Sequence, residues 1–382
     1  MLSDLAFALA KEGHKVTVIT SRQRYDAPDA RLPHAETIEG VDIIRVATPS
    51  FGRATLLGRL LDYLGFYLLA TWALWRRADR QTIVVAKTDP PLISIPAAFV
   101  CKLRGASLVN WLQDLFPEVA MVLGVPIARG PLGSILKRLR NWSLWRAKHN
   151  VVIGERMRDR LVQQGIPDSQ IQVIHNWADG SAIRPIEPGE NTLRGEWGLQ
   201  GKFVVGYSGN LGRAHEFETI LGAAKKLSEH NDIVFLFIGG GAQAEKIRSE
   251  TEKHHLHNIL FKPYQPRDRL EQSLGVADAH LVVLRPELEG LIVPSKFYGI
   301  SAAGRSCLFI GDSDGEIAHL LSAADSGYTI QPGNTDALIE QIRLLHDNPG
   351  LREKLNNNAR TQFETHFRLA MATSKWRQLL EH

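Results

Sequence analysis

The stretch Gly206-Tyr207-Ser208-Gly209-Asn210-Leu211-Gly212 sits at the end of the apolar run Phe203–Val205. Glycines at a strand end let another group approach the main chain and let its N–H groups meet a phosphate. Arg213 and His215 stand ready to add positive charge. The bland alternative is a tight turn, but the first βα turn of an α/β unit is where a phosphate site is expected. A second turn, Gly239-Gly240-Gly241-Ala242-Gln243-Ala244, follows another apolar run and fits G-x-G-x-x-A. A dinucleotide site would need Asp or Glu about 20 residues on, at the end of the next strand. That strand, Ile259–Phe261, runs into Lys262-Pro263. Gly240 is therefore read as part of a turn lining a nucleotide, not as an NAD fingerprint. In Arg285 to Gly299 the chain leaves a strand and enters a helix, with Arg285, Glu289 and Pro294 on the way. Ser295 is the expected N-cap. Lys296 in the first turn opposes the helix dipole, which points to a bound anion. Gln113-Asp114-Leu115-Phe116-Pro117-Glu118 places two carboxylates after a strand. Asp114 and Glu118 there could bind sugar hydroxyls or accept a proton, or serve only as caps and loop acceptors. His254, His255 and His257 lack the spacing of a closed metal site and read as solvated.

Such turns work only if a scaffold gathers strand ends. The pattern predicts that scaffold twice. A helix over residues 2–11 precedes strands at 15–20, 41–47, 82–86, 107–111, 151–153 and 172–174. Residues 183–200, rich in Pro, Gly and charge, read as a linker. Strands follow at 203–208, 233–238, 259–261, 280–284 and 306–310, with helices between. The last 50 residues read as helical, broken at Pro349 and near His366. Strands alternating with helices predict parallel sheets covered on both faces. The predicted fold class is α/β: two doubly wound, Rossmann-like domains with a cleft between them. The expected boundaries are 1–182, 183–365 and a last helix over 366–382 that packs back on the first domain.

The 382 residues are 44% hydrophobic and 23% charged, which excludes a disordered chain, a fibre and a polytopic membrane protein. A net charge of +4 is too small an excess to point to nucleic acid. The two cysteines, Cys101 and Cys307, form no framework and fit a reducing compartment. The N-terminus lacks the basic start of a secretory signal. The segment Leu56–Trp75 is long enough to span a membrane, but Arg59 and Asp62 argue against a crossing. An interfacial helix with Tyr63, Tyr67, Trp72 and Trp75 at the headgroups fits better. A second segment, Arg129 to Lys148, carries Arg129, Lys137, Arg138, Arg140, Arg146 and Lys148 without an acid. Its Leu132, Ile135, Leu136, Leu139, Trp142 and Trp145 fall at helical spacing. Regions 51–80 and 129–149 are thus expected to bind an anionic membrane surface.

In their order and spacing these motifs resemble the GT-B glycosyltransferases, retaining family 4, over nearly the whole chain. Leu5-Ala6 to Val18 looks like that family's first helix and second strand. Val173-Ile174-His175-Asn176-Trp177-Ala178-Asp179 resembles its I-P-N-x-V-D segment. Gln113 to Glu118, and Pro294-Ser295-Lys296-Phe297-Tyr298 running to Ala302-Ala303-Gly304, are similar to motifs of the bacterial L-fucosamine (N-acetylfucosamine) transferase branch. The resemblance implies a nucleotide-sugar donor, UDP-linked, held mainly by the second domain. Its donor-binding set is Gly209, Asn210, Gly212, His215, Gly240, Arg285, Pro294, Ser295 and Lys296. Asp114 and Glu289 are the implied catalytic carboxylates, and Asp114 and Glu118 face the acceptor. No metal or other cofactor is implied, because positive groups stabilise the leaving diphosphate. The implied acceptor is a polyprenyl-diphosphate-linked sugar, met at the cytoplasmic face of a bacterial inner membrane during O-antigen, capsule or exopolysaccharide synthesis. The rivals are a GDP-fucose-dependent relative, an epimerase of the same fold, and a non-catalytic chain that only binds nucleotide.

The chain departs from the family pattern in places. Two family glutamates fall on Leu291 and Gly299. The Arg and Lys of the phosphate loop fall on Asn210 and His215, and a common His falls on Gln113. The family also begins with a strand before its first helix, so about 20–30 further N-terminal residues are expected, enough for a strand, a loop and a helix start.

Overall fold

The computed structural model describes residues 1–23, 32–48, 56–125 and 130–381. They form two compact units. The first comprises residues 1–153 and 158–174 together with the chain's end from Thr373; the second comprises 154–157 and 175–372. The division falls at 175, ahead of the linker expected from composition.

The first unit opens with α1 (Leu2–Lys11). There follow β1 (Val16–Ser21), β2 (Ala35–Ile38), β3 (Val41–Val46), α2 (Leu56–Trp75), β4 (Ile83–Lys87), α3 (Ser94–Arg104) and β5 (Ser107–Trp111). Next come α4 (Glu118–Val122), α5 (Gly130–Arg146), β6 (His149–Val152), α6 (Glu155–Gln163) and β7 (Ile171–Val173). The strands do not make one continuous sheet. β1 and β3 pair in parallel, and β2 adds antiparallel to β3. β4, β5, β6 and β7 form a separate parallel sheet in that order. Among the described residues, β1 and β4 have no hydrogen-bonded partner on their other side, and both line a cavity of about 1580 Å3. Ile83 and Val85 of β4 are 38% and 36% exposed, unusual for a strand in a doubly wound unit, where both faces are normally covered.

The second unit is α7 (Thr192–Glu196), β8 (Phe203–Ser208), α8 (Glu218–Lys226), β9 (Ile233–Ile238), α9 (Ala244–Lys253), β10 (Ile259–Lys262) and α10 (Leu270–Gly275). It continues with β11 (Ala279–Val283), α11 (Lys296–Ala302), β12 (Ser306–Ile310), α12 (Glu316–Ala324), β13 (Gly327–Ile330), α13 (Thr335–Asp347), α14 (Pro349–Gln362) and the start of α15 (Leu369–Glu381), which from Thr373 on belongs to the first unit. The order β10-β9-β8-β11-β12-β13 is a six-stranded, all-parallel sheet. All six residues of β9 and all five of β11 and β12 are buried. These strands read as mostly apolar runs, β9 without a break, because helices cover both faces. Both units are Rossmann-like α/β domains.

The sheet reverses direction of growth between β8 and β11. Those strands pair only at Val205–Ala279 and Gly206–His280. Gly206 is required there, since a Cβ would stand 2.6 Å from the Ala277 methyl. Past that point each strand runs on without the other, to Ser208 and Val283, so a crevice opens between their carboxyl ends. In open α/β sheets this is where ligands bind.

Candidate functional site

The turns after β8 and β9 are laced together on one side of that crevice. The Gly209 N–H donates to the Ile238 carbonyl at 2.9 Å and the Leu211 N–H to the Gly240 carbonyl at 2.8 Å. A Cβ on Gly239 would lie 2.2 Å from the Gly209 carbonyl oxygen, and one on Gly241 2.3 Å from Asn210 Oδ1. Gly209, Gly239 and Gly241 have φ of 129°, 136° and 149°, outside the range L side chains favour. Glycine is therefore dictated here twice, by backbone angle and by contact. Gln243, absent from the residues marked in the sequence, braces the first turn. Its Nε2 donates to the Gly212 carbonyl at 2.7 Å and the His215 carbonyl at 3.0 Å. Only its place in the second glycine motif hinted at this.

Lys296 reaches this turn from α11. Its Nζ lies 3.5 Å from the centroid of the Tyr207 ring and 3.5 Å from where a Gly209 Cβ would be. That nitrogen is shut off from solvent and has no hydrogen-bond partner. Burial pulls its pKa down to about 7. His215 is pulled down to about 4, by burial first and then by the Lys296 charge. Tyr207 donates to the Asn210 carbonyl at 2.8 Å, and burial raises its pKa. Arg285 joins the turn through its backbone, donating to the Ala214 carbonyl at 3.0 Å, while its side chain pairs with Glu287. The fold thus gathers Gly209, Asn210, Gly212, His215, Gly240, Arg285 and Lys296 around one crevice. Ser295 departs from expectation. It occupies the N-cap position, but its side chain caps nothing. Its φ of −62° and ψ of −20° are already helical, whereas a capping side chain needs extended backbone. Pro294 is buried beside it.

Glu289 lies farther along the β11–α11 connection, only 7% exposed. Its Oε1 accepts the Glu316 N–H at 2.8 Å and the Gly290 N–H at 3.3 Å. Glu316 begins α12 and was not marked in the sequence. It is 4% exposed, and its Oε2 accepts the Arg156 N–H at 3.0 Å. Burial first, and the neighbouring Glu289 charge, push its carboxyl up to about 7; burial raises Glu289 as well. Gly315 and Gly154 make room, since a Cβ on either would come within 2.6 Å of one of these carboxylates.

In the first unit, Asp114 follows β5 beside Thr88 and Ser94 in a small crevice. Its tip is open, but the crowded walls push its carboxyl up to about 6, a desolvation that outweighs the nearby Lys87 charge. Glu118 is turned elsewhere. Its Oε1 meets Arg140 Nη2 at 2.6 Å and Gln164 Nε2 at 3.2 Å, with Lys137 Nζ at 3.6 Å. Arg140 is itself 3% exposed. A buried ion pair holds both groups in place, so Glu118 ties α4 to α5 and is not presented to an acceptor.

Residues 51–55, Arg129 and the Arg59 side chain belong to the segments expected at a membrane and lie outside the described ones. No described helix is long and apolar enough to cross a membrane. On α2, Tyr63, Leu64, Leu68 and Trp72 are 47–73% exposed. Tyr67 differs from expectation, because its hydroxyl turns inward to the Pro91 carbonyl. Trp75 is partly covered, with Arg104 of α3 over its ring. On α5, Leu132, Ile135, Leu139 and Trp145 are exposed, while Arg140 faces inward. α3, which packs against both α2 and α5, adds exposed Phe99 and Leu103.

Known proteins match this arrangement over both halves. Residues 1–177 match the family described as Glycosyl transferase 4-like domain, and residues 190–362 that described as Glycosyl transferases group 1. A protein of Escherichia coli strain K12 named as the colanic acid biosynthesis glycosyl transferase WcaI is 25% identical over 88% of this chain and 85% of its own. A Pseudomonas aeruginosa protein named as the glycosyltransferase WbjE is 28% identical over 77% of this chain and 73% of its own. Among solved structures, Anabaena Alr3699/HepE with UDP and glucose superposes with a TM-score of 0.75 at 14% identity, covering 100% of this chain and 94% of that one.

Proposed function

We propose that this chain, a glycosyltransferase with a 4-like domain followed by a group 1 domain, transfers a sugar from a UDP-linked donor to a lipid-linked acceptor in bacterial glycan synthesis. The observation that carries the donor half is the crevice between β8 and β11. Its one wall is a pair of glycine turns that admit no side chain, and the Lys296 amine lies beside it without a partner. A diphosphate fits that chemistry, and HepE, of like fold, holds UDP and glucose. Lys296 would stabilise the leaving diphosphate as the glycosidic bond breaks, which is the largest charge change in the reaction. No metal is needed for that step.

The finer reading is N-acetyl-L-fucosamine as the sugar, transfer with retention, and a polyprenyl-diphosphate-linked acceptor, as in O-antigen, capsule or exopolysaccharide synthesis. The name of the Escherichia coli relative, a colanic acid enzyme, supports polysaccharide synthesis. Asp114, whose carboxyl is pushed up to about 6 by burial, would in its ionised form accept the acceptor's hydroxyl proton. The exposed apolar residues of α2, α3 and α5, with Arg76, Arg77, Lys102 and Arg138 among them, support a peripheral seat on the cytoplasmic face of the inner membrane.

Calorimetry with UDP, GDP and NAD tests the donor reading. UDP alone binding supports it and leads to transfer assays with UDP-sugars. GDP binding moves the donor to a GDP-sugar, and NAD binding overturns the transferase reading.

A further inference from the structure

Lys296 presents a problem that donor binding would solve. Its Nζ is screened from water, packs on the Tyr207 face and has no hydrogen-bond acceptor. Among the described residues, no carboxylate offsets it. Across from it on β12 is the thiol of Cys307, itself buried and with its pKa raised. From the β8 turn comes His215, and from β11 His280, both disfavoured as cations with Lys296 among the causes. Its own helix α11 holds no acid. A ring face alone compensates an ammonium only in part. A buried amine without a counter-ion gives up its proton.

We propose that Lys296 stands neutral in the free protein and takes up a proton from solution when the diphosphate of the donor settles against Gly209, releasing it again when the nucleoside diphosphate leaves. The inference rests on the donor reading above. The anion supplies both the acceptor and the opposite charge that the amine lacks, so the ammonium becomes the stable form only in the complex. The site therefore gains its positive charge at the moment it is needed and avoids a bare buried cation in between. The Arg and Lys expected in the phosphate loop are Asn210 and His215 here, so this amine is the cation best placed to do it. The direction of pH dependence follows. With the free amine near 7, raising the pH withdraws the proton that the complex requires. Affinity for a nucleoside diphosphate should fall by about fivefold from pH 7 to pH 8.

The test is titration calorimetry of the full chain with UDP at pH 8, in buffers of different ionisation enthalpy such as HEPES, Tricine and Tris. The UDP terminal phosphate, which titrates near 6, is then ionised and contributes little. The slope of observed enthalpy against buffer enthalpy counts protons. The expected slope at pH 8 is uptake of about 0.9 proton per UDP. Lys296→Arg, charged at every pH, should bind with no uptake. UDP binding with zero slope at pH 8 overturns this inference and leaves the donor reading standing. Uptake that persists in Lys296→Arg also overturns it and assigns the proton to another group. Failure of both UDP and GDP to bind overturns the donor reading, and this inference with it. The wild-type slope decides the matter even if the arginine variant does not fold.

Discussion

Replacing Glu316 by Gln should stabilise the protein at pH 8 and leave it almost unchanged at pH 5. Glu316 is 4% exposed, and its carboxyl is pushed from 4.5 up to about 7 by burial and by the charge of Glu289. An acid whose folded value exceeds its unfolded one keeps its proton longer in the native state. That contribution to stability is whole at low pH and is lost as pH rises from 4.5 through 7. At about 1.4 kcal/mol per pH unit, the loss reaches about 3 kcal/mol by pH 8, of which about 1 kcal/mol is already gone at pH 5. Gln cannot ionise and so lacks this slope. Its carbonyl can still accept the Arg156 N–H, but its amide would replace an oxygen that the Glu155 N–H and, at 3.8 Å, His175 Nδ1 also approach. An unmet amide in a buried site costs about 1 kcal/mol at every pH. The two effects nearly cancel at pH 5 and leave a net gain of about 2 kcal/mol at pH 8. Urea unfolding of both proteins at the two pH values measures this directly. A gap between them that is the same at pH 5 and pH 8 would refute the reasoning, for it would mean that Glu316 does not hold a proton in the folded state. A loss of several kcal/mol at pH 8 alone would mean that the ionised carboxylate is matched by a cation, and the assignment of its pKa to burial would fail.

Asp114 makes the pH dependence of turnover predictable in sign. Its carboxyl, raised to about 6, must be ionised to accept a proton, so kcat should fall as pH drops through 6. Asp114→Asn should lower kcat by about 100- to 10,000-fold with UDP affinity unchanged by calorimetry. Gly241→Ala forces a Cβ to 2.3 Å from Asn210 Oδ1 at a φ of 149°. It should weaken UDP binding by about 5- to 150-fold, since a misfit of about 1–3 kcal/mol must be absorbed by the turn that lines the site.

What could be read in the sequence follows from how local each cause is. β9 reads as Ile-Val-Phe-Leu-Phe-Ile because both of its faces are covered, so the strand announces itself without reference to any partner. The glycine turns are equally plain, since Gly239 and Gly241 answer to their own backbone angles as well as to a close neighbour. β2, Ala-Glu-Thr-Ile, carries no such mark, because one antiparallel partner and a mostly exposed setting leave its composition free. The same division runs through the site. Asp114 and Glu118 look alike in sequence, four residues apart after one strand. Only Arg140, 22 residues past Glu118 on another helix, separates them by drawing Glu118 into a buried pair. Glu316 went unmarked because an acid at a helix start is the ordinary partner of the helix dipole. Its burial depends on Gly154, which is 162 positions away (316 minus 154) and leaves the space it fills. Lys296 was legible for the opposite reason. A lysine in the first turn of a helix opposes the local field, so the sequence itself carries a conflict that folding alone does not relieve. The fold does not relieve it either, since it brings no acid to the amine and buries it. A conflict that survives from sequence into structure has to be answered by something that arrives later, and an anion at the β8 turn answers it.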